Sequence, residues 1–276
     1  MTEIKLIALD LDGTLLTTDK RLTPETEAAL RRAAESGIEI VPCTGRFYKA
    51  MPEQVRALPY IHYTINANGA LIYDVRRDRA VCRTDMPWQR AVEVMSFFDA
   101  FPVLYDCYQA DRGWITGAFR ENCEDYALSL PILQMFRNDR IPVPELKAHL
   151  AEVRQPVQKV MGFFRQEDLA LRGRLRQELT ERFPDLTVTS SVSNNLEINA
   201  LDAAKGKALA HLAAHLGLDL SQTVAFGDDV NDVSMLRAAG IGVAMGNASP
   251  EALQAADRIT GTCDEDGVAQ ALRRLL

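Results

Sequence analysis

Residues 5–16 read KLIALDLDGTLL, an apolar run that passes into two aspartates and a Gly-Thr turn. The run Ile7–Leu9 predicts a fully buried strand of a parallel sheet, with Asp10 at its carboxyl end. In open α/β sheets, ligands bind at that end of the strands. Crowded carboxylates are costly unless a cation or a reacting group compensates them, so Asp10 and Asp12 predict a divalent-metal site. An isolated DGT sequence would be better interpreted as an Asp-Gly turn without chemistry.

The stretch TVAFGDDVND at residues 223–232 has the same design. Val224–Phe226 predicts a second short buried strand, which ends in a glycine followed by three aspartates and an asparagine. Two acidic strand ends in an alternating strand and helix sequence can converge on one site. Their carboxylate and amide oxygens suit Mg²⁺, which prefers octahedral oxygen ligation, better than they suit zinc.

Two smaller motifs lie between these stretches: CTGR at residues 43–46, after a predicted strand, and AAKGKAL at residues 203–209, at the start of a predicted helix. Thr44 offers a hydroxyl, and Gly45 offers an amide just before a predicted helix N-terminus, where backbone donors and the helix dipole favour an anion. Lys205 offers a point positive charge. Each motif alone is a weak signal, but together they predict a phosphate site.

The motifs DLDGTLL, TGR, the lysine of AAKGKAL and GDDVND, in that order, resemble the four motifs of haloacid dehalogenase-like phosphatases, and the match spans nearly the whole chain. The stretches INANGA (65–70), LEIN (196–199) and GVAMGNA (242–248) resemble the Cof-type sugar-phosphatase branch. The resemblance implies a doubly wound, mostly parallel α/β core with an inserted α+β cap domain, and Mg²⁺-dependent hydrolysis of small phosphate monoesters. Ala204 departs from the branch, which often has Ser or Asn there, and we expect little consequence for the chemistry.

The resemblance also implies a role for each matching residue. Asp10 becomes the nucleophile that forms an aspartyl-phosphate, and Asp12 becomes the acid that protonates the leaving oxygen and later deprotonates water. The implied metal ligands are Asp10, the backbone carbonyl of Asp12, and Asp228. The implied phosphate-binding residues are Leu11, Thr44, Gly45, Lys205 and Asn231. Asp232, Asp229, Arg46 and Asn68 are implied to support the site, with Asp229 either binding the metal through water or only supporting its loop.

The alternation of strands and helices predicts a core interrupted by an insertion. Residues 1–84 form the first part of the core, residues 85–192 an inserted α+β cap that selects the substrate, and residues 193–276 the rest of the core. The pattern at 47–57 predicts one helix, and Thr23 is predicted to cap the helix that begins at Pro24. The two outer segments are expected to form one sheet flanked by helices.

The chain of 276 residues carries a net charge of −7, which argues against nucleic acid as a partner. It contains five cysteines without a CxxC pair, a pattern typical of reduced thiols. No apolar run approaches the roughly 20 residues of a membrane span, and no signal-peptide pattern is present. The sequence therefore predicts a soluble cytoplasmic enzyme, monomeric or homodimeric, that acts on a small phosphorylated metabolite.

Two alternatives remain open beside a phosphatase. A phosphomutase of hexose phosphates would use the same nucleophile and acid, but it would return the phosphoryl group to a sugar. A non-catalytic metabolite-binding regulator would be expected to lack a catalytic carboxylate or the lysine, whereas this chain retains all of them. Release of inorganic phosphate, as opposed to an isomerised sugar phosphate, separates the hydrolase from the mutase.

Overall fold

The computed structural model describes residues 3–127 and 130–276. The chain divides into two compact units. The first unit comprises the chain up to Arg46, Met51–Arg83 and Ala204–Leu276. The second unit comprises Phe47–Ala50 and Thr84–Ala203.

The N-terminal part of the first unit alternates strands and helices before it ends in a hairpin. Its elements are β1 (Leu6–Leu9), α1 (Pro24–Glu35), β2 (Glu39–Pro42), α2 (Glu53–Arg56), β3 (Tyr63–Asn66), β4 (Leu71–Asp74) and β5 (Arg79–Arg83). Strands β3, β4 and β5 form a separate antiparallel sheet. The single helix predicted over 47–57 is wrong: a 3-10 turn at Tyr48–Ala50 precedes the short α2. Pro52 separates them, because proline has no amide to donate and disfavours helical geometry in the residue before it.

The second unit is an antiparallel sheet with helices. Its elements are α3 (Trp88–Phe98), β6 (Leu104–Gln109), β7 (Arg112–Thr116), α4 (Gly117–Asn122), α5 (Leu130–Asn138), β8 (Arg140–Val143), α6 (Leu146–Val153), β9 (Lys159–Phe163), α7 (Leu169–Arg182), β10 (Leu186–Thr189) and β11 (Asn195–Ala200). The six strands lie in the order β10-β11-β9-β6-β7-β8, and only β7 and β8 run parallel. Helix residues such as Phe98, Leu150 and Leu175 share one buried cluster with Val160 and Leu196 of the sheet.

The end of this unit differs from the predicted domain boundary. The sequence predicts that the second core segment begins at residue 193, whereas the compact second unit continues to Ala203. Strand β11 accounts for the difference, since it pairs antiparallel with β9, Leu196 lying opposite Gly162, and with β10 on its other side. Leu196 and Ile198 are buried in the second unit's cluster. LEIN is given by the sequence only as a motif of the resembled branch, and the structure places it in β11, within the second unit.

The rest of the first unit supplies the other three strands of its main sheet. Its elements are α8 (Lys205–His215), β12 (Thr223–Gly227), α9 (Val233–Ala238), β13 (Ile241–Ala244), α10 (Pro250–Ala255), β14 (Arg258–Ile259) and α11 (Gly267–Leu275). The five strands of this sheet are all parallel, in the order β14-β13-β12-β1-β2. The predicted α/β class is confirmed: a parallel sheet with helices, and a separate antiparallel sheet. None of the described helices is long and apolar enough to cross a membrane.

Thr23 caps α1 and also ties it to the start of α11. The Thr23 hydroxyl accepts a hydrogen bond from the Thr26 amide at 3.1 Å and donates one to Asp266, which directly precedes α11. Thr26 donates to the same Asp266 carboxylate oxygen at 3.0 Å. One threonine therefore closes the helix N-terminus and joins two helices that are distant in sequence.

Thr23→Ala is expected to lower the free energy of unfolding by about 1–2 kcal/mol, because the substitution removes the cap and the bond to Asp266 together. Urea unfolding followed by circular dichroism measures this change. Ser36→Ala is the matched control, since Ser36 ends the same helix, is exposed, and donates its hydroxyl to the local Arg32 carbonyl at 3.0 Å. Equal losses in the two variants would contradict the proposed link.

Candidate active site

The site forms where two neighbouring strands of the parallel sheet end. In the pairing of β1 with β12, Leu9 lies opposite Phe226, and the Asp10 amide donates to the Phe226 carbonyl at 3.0 Å. Asp10 follows β1 directly, and Asp228 follows β12 directly. The structure thus brings the two acidic strand ends together, as expected for the carboxyl edge of a parallel sheet.

A buried lysine joins the two strand ends. Lys205 is the first residue of α8, and its side chain is completely buried. Its Nζ lies 2.6 Å from Oδ1 of Asp10 and 2.6 Å from Oδ1 of Asp232. The second oxygen of Asp232 accepts the amides of Asp228 at 2.9 Å and Asp229 at 3.1 Å. Although burial opposes it, the charges of Asp10 and Asp232 hold the pKa of Lys205 well above its ordinary value.

Three carboxylates surround this one lysine. Asp10, Asp228 and Asp232 each present an oxygen, and these oxygens all lie within 4.8 Å of one another. Burial raises the pKa of Asp10 to about 7, although the charge of Lys205 opposes the shift. Burial, and then the charge of Asp10, raises the pKa of Asp228 to about 8. Lys205 therefore leaves negative charge uncompensated, and this hard oxygen set fits a divalent cation such as Mg²⁺.

Asp12 lies in a different electrostatic environment from Asp10. Arg46 donates two hydrogen bonds to its carboxylate, from Nε to Oδ2 at 2.8 Å and from Nη2 to Oδ1 at 3.0 Å. The Nζ of Lys20 lies 2.9 Å from the same Oδ1. Despite partial burial, these cations hold the pKa of Asp12 well below its usual range. The two carboxylates of the DLDGT sequence therefore differ, with Asp12 held ionised by its two cations and the pKa of Asp10 raised by burial.

The predicted phosphate loop is held by backbone bonds to its neighbour. The buried Thr44 donates its amide to the Ile65 carbonyl at 2.8 Å, and its carbonyl accepts the Asn68 amide at 3.1 Å. Its hydroxyl accepts the Arg46 amide at 3.2 Å. The predicted helix N-terminus after Gly45 is wrong, because the chain continues into the 3-10 turn at Tyr48–Ala50 and not into an α-helix.

The remaining predicted residues lie around these groups in the first unit. The Asn231 amide group donates to Oδ1 of Asn68 at 3.3 Å. Asp229 caps the short 3-10 helix Val230–Asp232 and accepts the Val230 amide at 2.6 Å. Leu11 is buried in the turn after β1, where its carbonyl accepts the Leu16 amide at 2.8 Å.

Three residues near the site are absent from the sequence-based predictions. The Thr14 hydroxyl donates to Oδ1 of Asp228 at 2.7 Å. Asn247 donates to the Gly13 carbonyl at 2.8 Å and accepts the Cys263 amide at 2.9 Å, so it fixes the turn after Asp12. Lys20 is the third. Thr14 lies in the DLDGTLL motif and Asn247 in the GVAMGNA motif, so both motifs could have pointed to these residues. Lys20 lies in no motif.

Comparisons with known proteins agree with this fold. The family described as haloacid dehalogenase-like hydrolase matches residues 7–272. Phosphatase YwpJ of Bacillus subtilis is 33% identical over 289 residues, covering 99% of this chain and 100% of that protein. The phosphatase YcsE of the same organism, named for 5-amino-6-(5-phospho-D-ribitylamino)uracil, is 33% identical over 277 residues, covering 98% of this chain and 95% of that protein.

A solved structure of a haloacid dehalogenase-like hydrolase from B. subtilis has a TM-score of 0.83 at 32% identity, covering 99% of this chain and 100% of that one. The chain belongs to the haloacid dehalogenase-like hydrolase family. The predicted family is confirmed. The predicted enzyme class is confirmed as well, since the relatives that span the whole chain are phosphatases, that is, phosphoric monoester hydrolases.

Gly13→Ala is expected to weaken divalent-metal binding by about tenfold or more, because the site tolerates no side chain at this position. Gly13 has φ +92°, and an added Cβ would lie 2.4 Å from Oδ2 of Asp228, which would displace that carboxylate. The measurement is the rise in melting temperature on adding Mg²⁺, which reports binding to the folded state.

Gly37→Ala is the matched control. Its φ of +83° imposes a similar backbone strain, but an added Cβ there has nothing within 4 Å. The control should lose stability and keep the full Mg²⁺ response. If both variants respond to Mg²⁺ as strongly as the parent protein, the packing of Gly13 against Asp228 has no bearing on metal binding.

Proposed function

We propose that this protein is a Mg²⁺-dependent phosphatase that hydrolyses small phosphate monoesters, sugar phosphates foremost, through an aspartyl-phosphate formed on Asp10. The observation that carries the proposal is the contact of Lys205 Nζ with Oδ1 of Asp10 at 2.6 Å inside a cluster of three carboxylates. A buried lysine in this position orients one oxygen of Asp10. The other oxygen, Oδ2, then serves as the nucleophile.

Asp10 and Asp228, with the backbone carbonyl of Asp12, would hold Mg²⁺. Asp232 suits a supporting role, because Lys205 and two backbone amides already engage its two oxygens. Bound Mg²⁺ supplies positive charge that reduces the repulsion between the Asp10 carboxylate and an anionic phosphate. The raised pKa values of Asp10 and Asp228 support this requirement for a cation, since they arise first from burial, and two buried neighbouring carboxylates are costly to ionise without positive charge beside them.

In the first step, Oδ2 of Asp10 attacks phosphorus, the bond from phosphorus to the leaving oxygen breaks, and Asp12 gives that oxygen a proton. Because Arg46 and Lys20 favour the ionised form of Asp12, this step requires that Asp12 first take up a proton as the substrate binds. Lys205 has three N–H donors, of which two point to Asp10 and Asp232, so the third serves a phosphate oxygen. We assign further contacts with the phosphate to Leu11, Thr44, Gly45 and Asn231. Phosphoryl transfer needs mainly such alignment and charge stabilisation.

In the second step, water attacks the phosphorus of the aspartyl-phosphate, Asp12 takes a proton from that water, and the bond to Asp10 breaks. The products are inorganic phosphate and the restored Asp10 carboxylate. Asp12 suits both proton transfers because its side chain is 32% exposed, whereas Lys205 and Asp232 are fully buried.

The relatives and the organisation of the chain support the proposed substrate class. YcsE is named for a phosphorylated ribityl compound, which supports a small phosphorylated metabolite as the substrate here. We propose that the second unit acts as a cap that selects the leaving group, and that Arg46, Asn68 and Asp229 support the phosphate site. A cytoplasmic location and a monomeric or homodimeric state stay predictions, the first supported by five cysteines that are all free thiols.

Asp10→Asn is expected to lower phosphatase activity at least about 1000-fold, because an amide cannot replace the carboxylate nucleophile. Release of phosphate from p-nitrophenyl phosphate and from a panel of sugar phosphates, with Mg²⁺ present, measures the loss. Chelation by EDTA should abolish the parent activity, and added Mg²⁺ should restore it.

Asp19→Asn serves as the control for this experiment. Asp19 lies nine positions further along, is 76% exposed and pairs with the exposed Arg21 at 3.3 Å, so the variant should keep full activity. Parent-level turnover by Asp10→Asn would show that another group attacks phosphorus. Release of an isomerised sugar phosphate in place of inorganic phosphate would identify a mutase.

A further inference from the structure

Three consecutive residues between β3 and β4 adopt the left-handed backbone conformation. Ala67, Asn68 and Gly69 have φ of +49°, +60° and +100°, and all three are buried. Residues with a side chain seldom adopt this conformation, and it persists where the surrounding structure holds it. The Ala67–Gly69 turn, as we call these three residues, therefore depends on the contacts that it makes.

The backbone of the Ala67–Gly69 turn holds the loop that carries the TGR sequence. The Ala67 amide donates to the Arg46 carbonyl at 2.9 Å, and the Asn68 amide donates to the Thr44 carbonyl at 3.1 Å. These two bonds fix the residues on both sides of Gly45. The turn therefore supports the loop to which we assign phosphate contacts.

The same turn lies against the start of α8. An added Cβ on Gly69 would lie 2.6 Å from the Ala204 carbonyl oxygen, so glycine is needed for this close approach. That carbonyl accepts the Ala208 amide at 2.9 Å, which is the first hydrogen bond of α8. The turn therefore packs directly against the residue that precedes Lys205.

The side chain of Asn68 adds a contact with the loop after β12. Its Oδ1 accepts a hydrogen bond from Nδ2 of Asn231 at 3.3 Å, across 163 positions of the chain. Asn68 is buried and its backbone is fixed by the contacts above, so this oxygen is presented from a rigid support. Three loops of the first unit, distant in sequence, thus meet at one short turn.

We propose that Asn68 is a positioning residue, which holds the Asn231 side chain so that the second N–H of its amide group donates to the phosphate. An asparagine amide group has two N–H donors, of which one points to Asn68 here. The inference rests on the proposed function, in which Asn231 contacts the phosphate. Because Asn68 acts through Asn231, its loss should lower activity only while Asn231 is present.

The test combines Asn68→Gly with Asn231→Ala. Glycine adopts a φ of +60° easily, so Asn68→Gly removes the side chain and keeps the turn. If Asn68 acts through Asn231, the loss caused by Asn68→Gly should vanish once Asn231 is alanine. A purely structural role, or a direct contact of Asn68 with the phosphate, would make the two losses multiply.

Asn231→Ala is expected to lower kcat/KM for p-nitrophenyl phosphate about tenfold, because it removes a hydrogen bond to a charged group. Asn68→Gly should lower kcat/KM about fivefold and weaken inhibition by inorganic phosphate by a similar factor. The variant with both substitutions should match Asn231→Ala alone within about twofold. Asn68→Gly should keep the parent's rise in melting temperature with Mg²⁺, since the metal site is intact.

Arg154→Gly is the matched control. Arg154 has φ +54° at the end of α6, and its exposed side chain donates from Nε to the local Ala151 carbonyl at 3.1 Å. It places the same substitution at another left-handed position, and it should leave kcat/KM and phosphate inhibition unchanged.

Parent-level kcat/KM and phosphate inhibition in Asn68→Gly, with a loss in Asn231→Ala, would refute the role of Asn68 alone. Multiplied losses in the variant with both substitutions, or loss of the Mg²⁺ response in Asn68→Gly, would overturn the inference as well. Parent-level activity in Asn231→Ala would remove the phosphate contact on which it rests. A parent protein that releases no phosphate from any monoester tested would refute the proposed function itself, and the inference with it.

Discussion

The site depends on one buried ammonium group held between two carboxylates. Lys205 is completely buried, and its contacts with Asp10 and Asp232 join the end of β1, the start of α8 and the loop after β12. Removing one partner from such a pair leaves a buried charge without compensation, which typically costs about 3–5 kcal/mol. The same contacts that assemble the site therefore also hold these three segments together.

The start of α8 is placed by packing and not by a capping side chain. Ala204, at the N-cap position, offers no side-chain hydrogen bond, and the Gly206 amide donates instead to the Ser234 hydroxyl of α9 at 3.1 Å. An added Cβ on Gly206 would lie 2.1 Å from the Ser234 carbonyl oxygen, so glycine is needed for this approach. Ala204 stands where the resembled branch often has Ser or Asn. The contact with α9 holds the helix start in its place, and Lys205 stays at the first position of the helix.

Much of the site was readable from the sequence because its residues follow short buried strands directly. The strand Leu6–Leu9 and the run before Asp228 could be predicted from apolar patterning alone, and parallel pairing then brings their ends together. Lys20 could not be predicted, since its contact depends on a left-handed backbone and on Gln54, 34 positions away. Asn247 was missed for a similar reason, because its bond to Gly13 spans 234 positions.

The sequence pattern also does not predict which sheet each strand joins. The LEIN strand alternates as an antiparallel strand does, but only its pairing with β9 and β10 assigns it to the second unit. The segment after Gly45 contains enough apolar residues to suggest a helix, and Pro52 divides it into a 3-10 turn and a short helix. Pairing with distant strands decides the first case, and the proline decides the second.

We propose that Asp10 and Asp228 share one divalent cation and that Asp10 is the group that bonds to phosphorus. A crystal structure of the parent protein grown with Mg²⁺ and beryllium trifluoride, a mimic of a phosphoryl group, tests this proposal. We expect density joining beryllium to an oxygen of Asp10, with the metal in contact with Asp10 and Asp228. Beryllium joined to Asp12, or a metal bound away from these two aspartates, would contradict it.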